Sequence, residues 1–190
     1  ATVTGSRTIV GETPTKASAA QIKDASETDV TENYAITYED GVLKITANDG
    51  VVTVTAKDVT VEYDGEAHGG NGAEATGLLS GHSLQSATVT GSETNAGIYA
   101  DKLVPSEAKI VDGEGNDVTS NYANISYVAG KLTINKKAVT VKADSAEYKY
   151  DGTEKSVTTF TNTDLVADHT ITATVTGSRT IVGETPTKAS

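Results

Sequence analysis

Hydrophobic and polar residues alternate with a period of two along much of this chain. Val52 and Val54 alternate with Thr53 and Thr55, and Val59, Val61 and Tyr63 alternate with Thr60 and Glu62. Successive side chains of a strand point to opposite faces, so the pattern predicts half-buried antiparallel strands. Val and Thr, both β-branched, suit a pleated surface. Leu43 and Ile45, with their counterparts Leu132 and Ile134, predict a closing strand that runs almost directly into the next strand through Ala47–Gly50 or Asn135–Lys137. Asp-Gly and Gly-Gly pairs at Asp40-Gly41, Asp64-Gly65, Gly69-Gly70, Asp112-Gly113 and Asp151-Gly152 mark turns. Two places predict a single helical turn. In the stretch from Asp117, that residue caps while Val118 and Tyr122 face the core; Asp29, Val30 and Tyr34 repeat the arrangement. No stretch supports a long helix. The fold class is all-β, with six or seven short strands in each unit.

The pattern recurs. Ala1–Ser18 reappears letter for letter as Ala173–Ser190, and a weaker copy begins at Ala87. The stretch from Asp29 answers the one from Asp117, and the stretch from Val52 answers the one from Val139. A unit of roughly 86 residues, an ordinary domain size, therefore repeats in diverged pairs. The chain divides into the C-terminal part of one unit (1–49), a complete unit (50–136) and the N-terminal part of another (137–190), of which 173–190 repeats 1–18. Short linkers between such units favour an elongated, semi-rigid rod.

Composition narrows the function. Of 190 residues only eight are Tyr and one is Phe, with no Trp, so each core is thin and neighbouring units are its natural support. The net charge of −11 is spread among interspersed acids and bases. It disfavours nucleic acid and anionic membrane surfaces, which need a basic patch. No apolar run is long enough for a membrane-spanning helix, so no membrane insertion is expected in this segment. The absence of Cys removes disulfides and thiolate chemistry.

Taken together, the strand ends Val61–Gly65 and Tyr148–Gly152, the stretch Gly77–Gly97 and the stretch Glu114–Ile134 resemble the MBG-type repeat domains of bacterial surface proteins and adhesins. The resemblance covers the whole chain and is carried by the order and spacing of short motifs. It implies a bacterial protein that is secreted or anchored in the cell wall, with domains serving as stalk or adhesive modules. It carries over no catalytic or ligand-binding residue. The units are expected to be small β-sandwiches (Ig-like) or β-grasp-like folds.

Candidate chemistry is sparse. In the acidic loop, Asp112, Glu114, Asn116 and Asp117 alternate oxygen donors with glycines, as calcium loops do. The loop lacks the EF-hand spacing and its terminal bidentate Glu, and its counterpart Asp24–Asp29 lacks the glycines, so a hairpin followed by a cap is the favoured reading. His82 and His169 occupy equivalent positions in successive units and cannot share one metal site within a domain. Lys16, Lys102 and Lys188 recur, as do Asn33 and Asn121, but an isopeptide bond between such residues also needs a buried acid. No nucleophile elbow, phosphate loop or dinucleotide fingerprint is present. The expectation is a structural, non-enzymatic segment without cofactor, at the bacterial cell surface or in the cell wall. Its partners are neighbouring repeat units and, in one reading of the two partial units, head-to-tail copies of itself. A window on a longer chain is the favoured account of those ends. A ligand-binding adhesin module is the alternative function.

Overall fold

The computed structural model describes residues 1–189; Ser190, the last residue of the second duplicated copy, lies outside the described residues. Strands take up 49% of the chain and helix 3%, so the all-β expectation holds. In chain order they are β1 (Thr2–Thr4), β2 (Gly11–Ser18), β3 (Gly41–Ile45), β4 (Asn48–Ala56), β5 (Val59–Glu62), β6 (His68–Gly69), β7 (Ala73–Thr76), β8 (Ser83–Thr90), β9 (Ser92–Glu93) and the long β10 (Gly97–Val111). There follow β11 (Tyr122–Val128), β12 (Gly130–Asn135), β13 (Thr140–Ala143), β14 (Lys155–Ser156), β15 (Phe160–Thr163), β16 (Val175–Thr176), β17 (Ser178–Arg179) and β18 (Lys188–Ala189). Single 3-10 turns at Thr31–Asn33 and Thr119–Asn121 stand where the helical turns were expected.

Contacts divide the chain into two units, each assembled from three stretches. The first takes Ala1–Asp58, Gly70–Gly91 and Asp101–Gly130. Here β1, β2 and β3 form an antiparallel sheet. In a second sheet β4 lies between β11, which is parallel to it, and β7, which is antiparallel. β8 pairs with β10, whose register slips between Ser106 and Lys109, with Glu107 at positive φ inside the bulge. The core lies where β4 meets β10: Val52 and Val54 pack with Ala108, Ile110, Val118 and Tyr122. Alternation explains this directly, since Thr53 and Thr55 take the other face of β4.

The second unit takes Val59–Gly69, Ser92–Ala100 and Lys131–Ser190. It holds the parallel pair β5–β12 and the antiparallel pairs β6–β9, β13–β15, β14–β17 and β16–β18. Among the described residues, Leu132 and Ile134 on β12 are its buried ones.

The expectation of purely antiparallel strands is corrected. Alternation reports that one face is buried, and it carries no information on partner direction. β4 and β5 both take parallel partners, β11 and β12, from more than 65 residues further along. Short connections are found as read: two residues separate β3 from β4, and four separate β12 from β13. The boundary expected between Asp49 and Gly50 falls inside β4.

Candidate functional site

The acidic loop is a tight turn closed on itself. The Asp112 N–H donates to the Asn116 carbonyl at 3.1 Å, and the Gly115 N–H to the Asp112 carbonyl at 3.1 Å. Oδ1 of Asp112 accepts the backbone N–H of Glu114 and of Asn116, both at 2.9 Å, while Oδ2 accepts the Asn116 side-chain amide at 3.1 Å. That amide, followed by the Asn116 and Glu114 N–H groups, holds the Asp112 carboxyl below the ordinary carboxylate range. Asp117 turns the other way. Its Oδ1 accepts the Thr119 N–H at 2.9 Å, one position ahead of the formal cap Val118, and starts the 3-10 turn. The four candidate ligands thus serve an Asx turn and a cap. Among the described residues no group of three or more His, Asp or Glu side chains is gathered to hold a metal ion.

The counterpart Asp24–Asp29, lacking both glycines, makes the same turn through the same backbone N–H bonds, without the side-chain amide that Asn116 adds. Oδ1 of Asp24 accepts the N–H of Ser26 and of Thr28, and the Asp24 N–H donates to the Thr28 carbonyl. Where Gly115 adopts φ +87°, Glu27 adopts φ +62°. Asp29 accepts the Thr31 hydroxyl at 2.6 Å and N–H at 2.9 Å and the Gln21 amide at 2.8 Å. These bonds, the hydroxyl's first, lower its pKa to about 2. In both turns the threonine hydroxyl also accepts a backbone N–H, Ile22 in one and Ile110 in the other, each at 2.8 Å.

The histidines do three separate things. The His82 N–H closes a turn onto the Leu79 carbonyl, and its Nδ1 lies 2.7 Å from the Tyr122 hydroxyl, which also accepts the Leu79 N–H at 3.1 Å. That latch seats the buried Tyr122 ring against the core. His169 closes the equivalent turn onto Val166, and its ring lies 6.0 Å from that of Tyr63. The two share an open cleft of about 340 Å³ with Val139, Leu165 and Val166. His68 sits 2.8 Å from Asp64, four residues back, and Lys155 holds Asp151 at the same spacing in the next copy. His82 and His169 are therefore turn residues, as read from the sequence.

Sequence reasoning missed the arginine inside the duplicated segment. Between β1 and β2 the Arg7 guanidinium donates to the carbonyls of Ile9 (2.8 Å), Val10 (2.7 Å) and Glu12 (3.1 Å) and to the Thr13 hydroxyl (3.2 Å). Arg179 makes the same four bonds to Ile181, Val182, Glu184 and Thr185. The strand register is conserved too, with Val3 opposite Ala17 and Val175 opposite Ala189. A Cβ at Gly11 or Gly183 would collide with the guanidinium, which is why glycine stands there. In the middle copy, where Glu93 replaces the arginine, the Tyr99 hydroxyl donates to the Asn95 carbonyl, the counterpart of Ile9. The only signal was an Arg followed by a Gly four residues later in a loop, too common to read alone.

Nor do the recurring lysines meet an isopeptide geometry. Lys16 is exposed and pairs with Asp40 at 3.2 Å, Asn121 accepts the Val10 N–H, and no acid is buried among the described residues. No family model matches the chain, and neither a curated protein nor a solved structure is significantly similar to it.

Proposed function

We propose that this chain is a segment of a tandem-repeat stalk or fibre, of MBG type, in a bacterial extracellular surface protein. Its units follow the repeat, 1–49, 50–136 and 137–190, as Ig-like or β-grasp-like modules in a rod, and their role is structural rather than enzymatic. One observation carries this reading: the polar side chains that repeat do backbone work. Asp24 and Asp112 tie turns, Arg7 and Arg179 clasp hairpins, and Asp29 and Asp117 start 3-10 turns. An enzyme or receptor repeats its reactive or contact groups; here the groups that recur maintain shape. The short links between β3 and β4 and between β12 and β13 support limited hinge motion.

The test is length. Proteins carrying two, four and six units, examined by small-angle scattering, should grow in maximum dimension by a fixed increment per unit. A radius that compacts with added units would remove the stalk reading. A glycan and host-protein array probed with the same proteins addresses the alternative of a ligand-binding adhesin module: reproducible capture would favour it, and the scarcity of aromatic hot-spot residues predicts none.

A further inference from the structure

Asn71 and Gly72 form the one Asn-Gly pair of the chain. They lie in the link between β6 and β7, and the Asn71 side chain is exposed. The two residues of such a pair carry an electrophile and a nucleophile, the side-chain carbonyl carbon and the following backbone nitrogen, placed to close a five-membered ring. Glycine has no Cβ to keep that nitrogen away from the side chain before it. In a folded protein, reaction then depends on whether other bonds hold either group.

Neither is held here. Among the described residues no hydrogen bond engages the Asn71 amide or the Gly72 N–H. Lys57 and Gly72 continue the β4–β7 ladder one step past Ala56 and Ala73. A hydrogen-bonded pair in an antiparallel ladder exchanges two bonds. Only one is made, from the Lys57 N–H to the Gly72 carbonyl at 3.0 Å, and with Gly72 at φ +131° its own N–H stays out of the ladder. A Cβ built on Gly72 would meet nothing within 4 Å, so the space around it is open.

Comparable groups elsewhere are tied. In the Asp-Gly pairs at Asp64, Asp112 and Asp151, Oδ1 accepts the N–H two residues on, at 2.9, 2.9 and 3.0 Å. A carboxylate is also a poorer electrophile than an amide. Oδ1 of Asn48 is occupied in the same way by the Gly50 N–H, at 2.8 Å, and Oδ1 of Asn121 by the Val10 N–H.

We propose that Asn71 is a site of spontaneous covalent modification, deamidation through a succinimide, with water as co-reactant. Hydroxide takes the Gly72 amide proton and the nitrogen attacks Cγ of Asn71. The new C–N bond closes the ring, the bond to the side-chain nitrogen breaks, and ammonia leaves with a proton from water, which returns the hydroxide. Water then opens either ring carbonyl, giving aspartate or isoaspartate. Both products add one negative charge, and isoaspartate also adds one carbon to the backbone.

That carbon falls between two anchored points. A Cβ at Gly70 would collide with Val89, so the backbone there lies against that side chain, and the Gly72 carbonyl is held by Lys57. The isoaspartate form therefore loses the Lys57 bond and frays the start of β7, whose Ala73 and Ala75 pack on the core. The diverged copy has Thr158-Thr159 at these positions, with the same bond from the Asp144 N–H to the Thr159 carbonyl at 3.1 Å, and has no reactive pair there.

The test is to age the whole chain in mildly alkaline buffer beside a synthetic peptide of residues 67–76. Peptide mapping follows conversion, and isoaspartyl methyltransferase with labelled S-adenosylmethionine is the probe for isoaspartate. Asn71 should convert before every other asparagine, faster as pH rises, and at a rate within about tenfold of the free peptide. Asn71→Thr should abolish the label at this site and leave circular dichroism and melting unchanged, since the side chain is exposed. Asn71→Asp, which supplies the charge without the extra carbon, should keep the Lys57 amide protected from hydrogen exchange, while the isoaspartate fraction loses about tenfold of that protection. Conversion first at another asparagine, or more than about tenfold slower than in the peptide, would show that the fold guards Asn71 and would overturn the proposal. Unchanged Lys57 protection in the isoaspartate fraction would overturn its structural consequence.

Discussion

Exposed aspartates do the most local work in this molecule, and at Asp29, Asp112 and Asp117 hydrogen bonds rather than burial lower the carboxyl pKa. Asp29 is the clearest case, with a pKa of about 2 set first by the Thr31 hydroxyl. A carboxyl whose pKa is depressed on folding contributes stability above its unfolded value, near 4, and loses it as pH falls through the folded value. The turn at Asp29 should therefore survive from neutral pH to about pH 3 and loosen near pH 2. Thr31→Ala should move the carboxyl titration, followed by carbon NMR, up toward the ordinary value; an unmoved midpoint would show that the hydroxyl bond is not its cause. The neighbouring turn offers a second test. A left-handed residue with a Cβ costs about 1–2 kcal/mol, part of which glycine returns through unfolded-state entropy. Glu27→Gly should then stabilise its turn by about 0.5 kcal/mol, while Gly115→Ala should destabilise the equivalent turn by about 1 kcal/mol. Thermal melts of the two variants should shift in opposite directions.

At the scale of the element, the hairpin held by Arg7 depends on one side chain for four bonds. Hydrogen bonds from a charged donor contribute about 1.5–3 kcal/mol each when well made, and less when exposed. Arg7→Ala should open the loop locally, at a cost of about 1–3 kcal/mol in the hydrogen-exchange protection of residues 9–13. Arg7→Lys should not rescue it, because an ammonium cannot reproduce the planar fork. Equal protection in all three proteins would rule out the clasp. This element also marks where the sequence stops being legible. Alternation gave the buried face of β4, and Asp117 gave the 3-10 turn, because both signals lie within a few adjacent residues. The parallel partners of β4 and β5 were illegible, since direction is set by distant residues and alternation is blind to it. Tyr34 shows the same gap from the other side. Its sequence is that of a core residue, and its surroundings in the chain leave it at the surface.

For the whole molecule, identical residues in different surroundings separate what a motif encodes from what its neighbours supply. Ile110 is fully buried in the core with Val52 and Val54, whereas its counterpart Ile22 has the same turn and the same threonine bond without that packing. Truncating a buried isoleucine removes its transfer free energy and leaves a cavity, about 2–5 kcal/mol together. Ile110→Ala should cost that much, while Ile22→Ala should cost less than about 1 kcal/mol. Hydrogen exchange should divide the backbone the same way, with β4 and β10 protected and residues 35–40 and 144–150 exchanging freely. Protection at residues 35–40 equal to that of β4 and β10, together with equal costs for the two isoleucine substitutions, would mean that the shared turn and its threonine bond, rather than the packing on Val52 and Val54, set the stability of both copies.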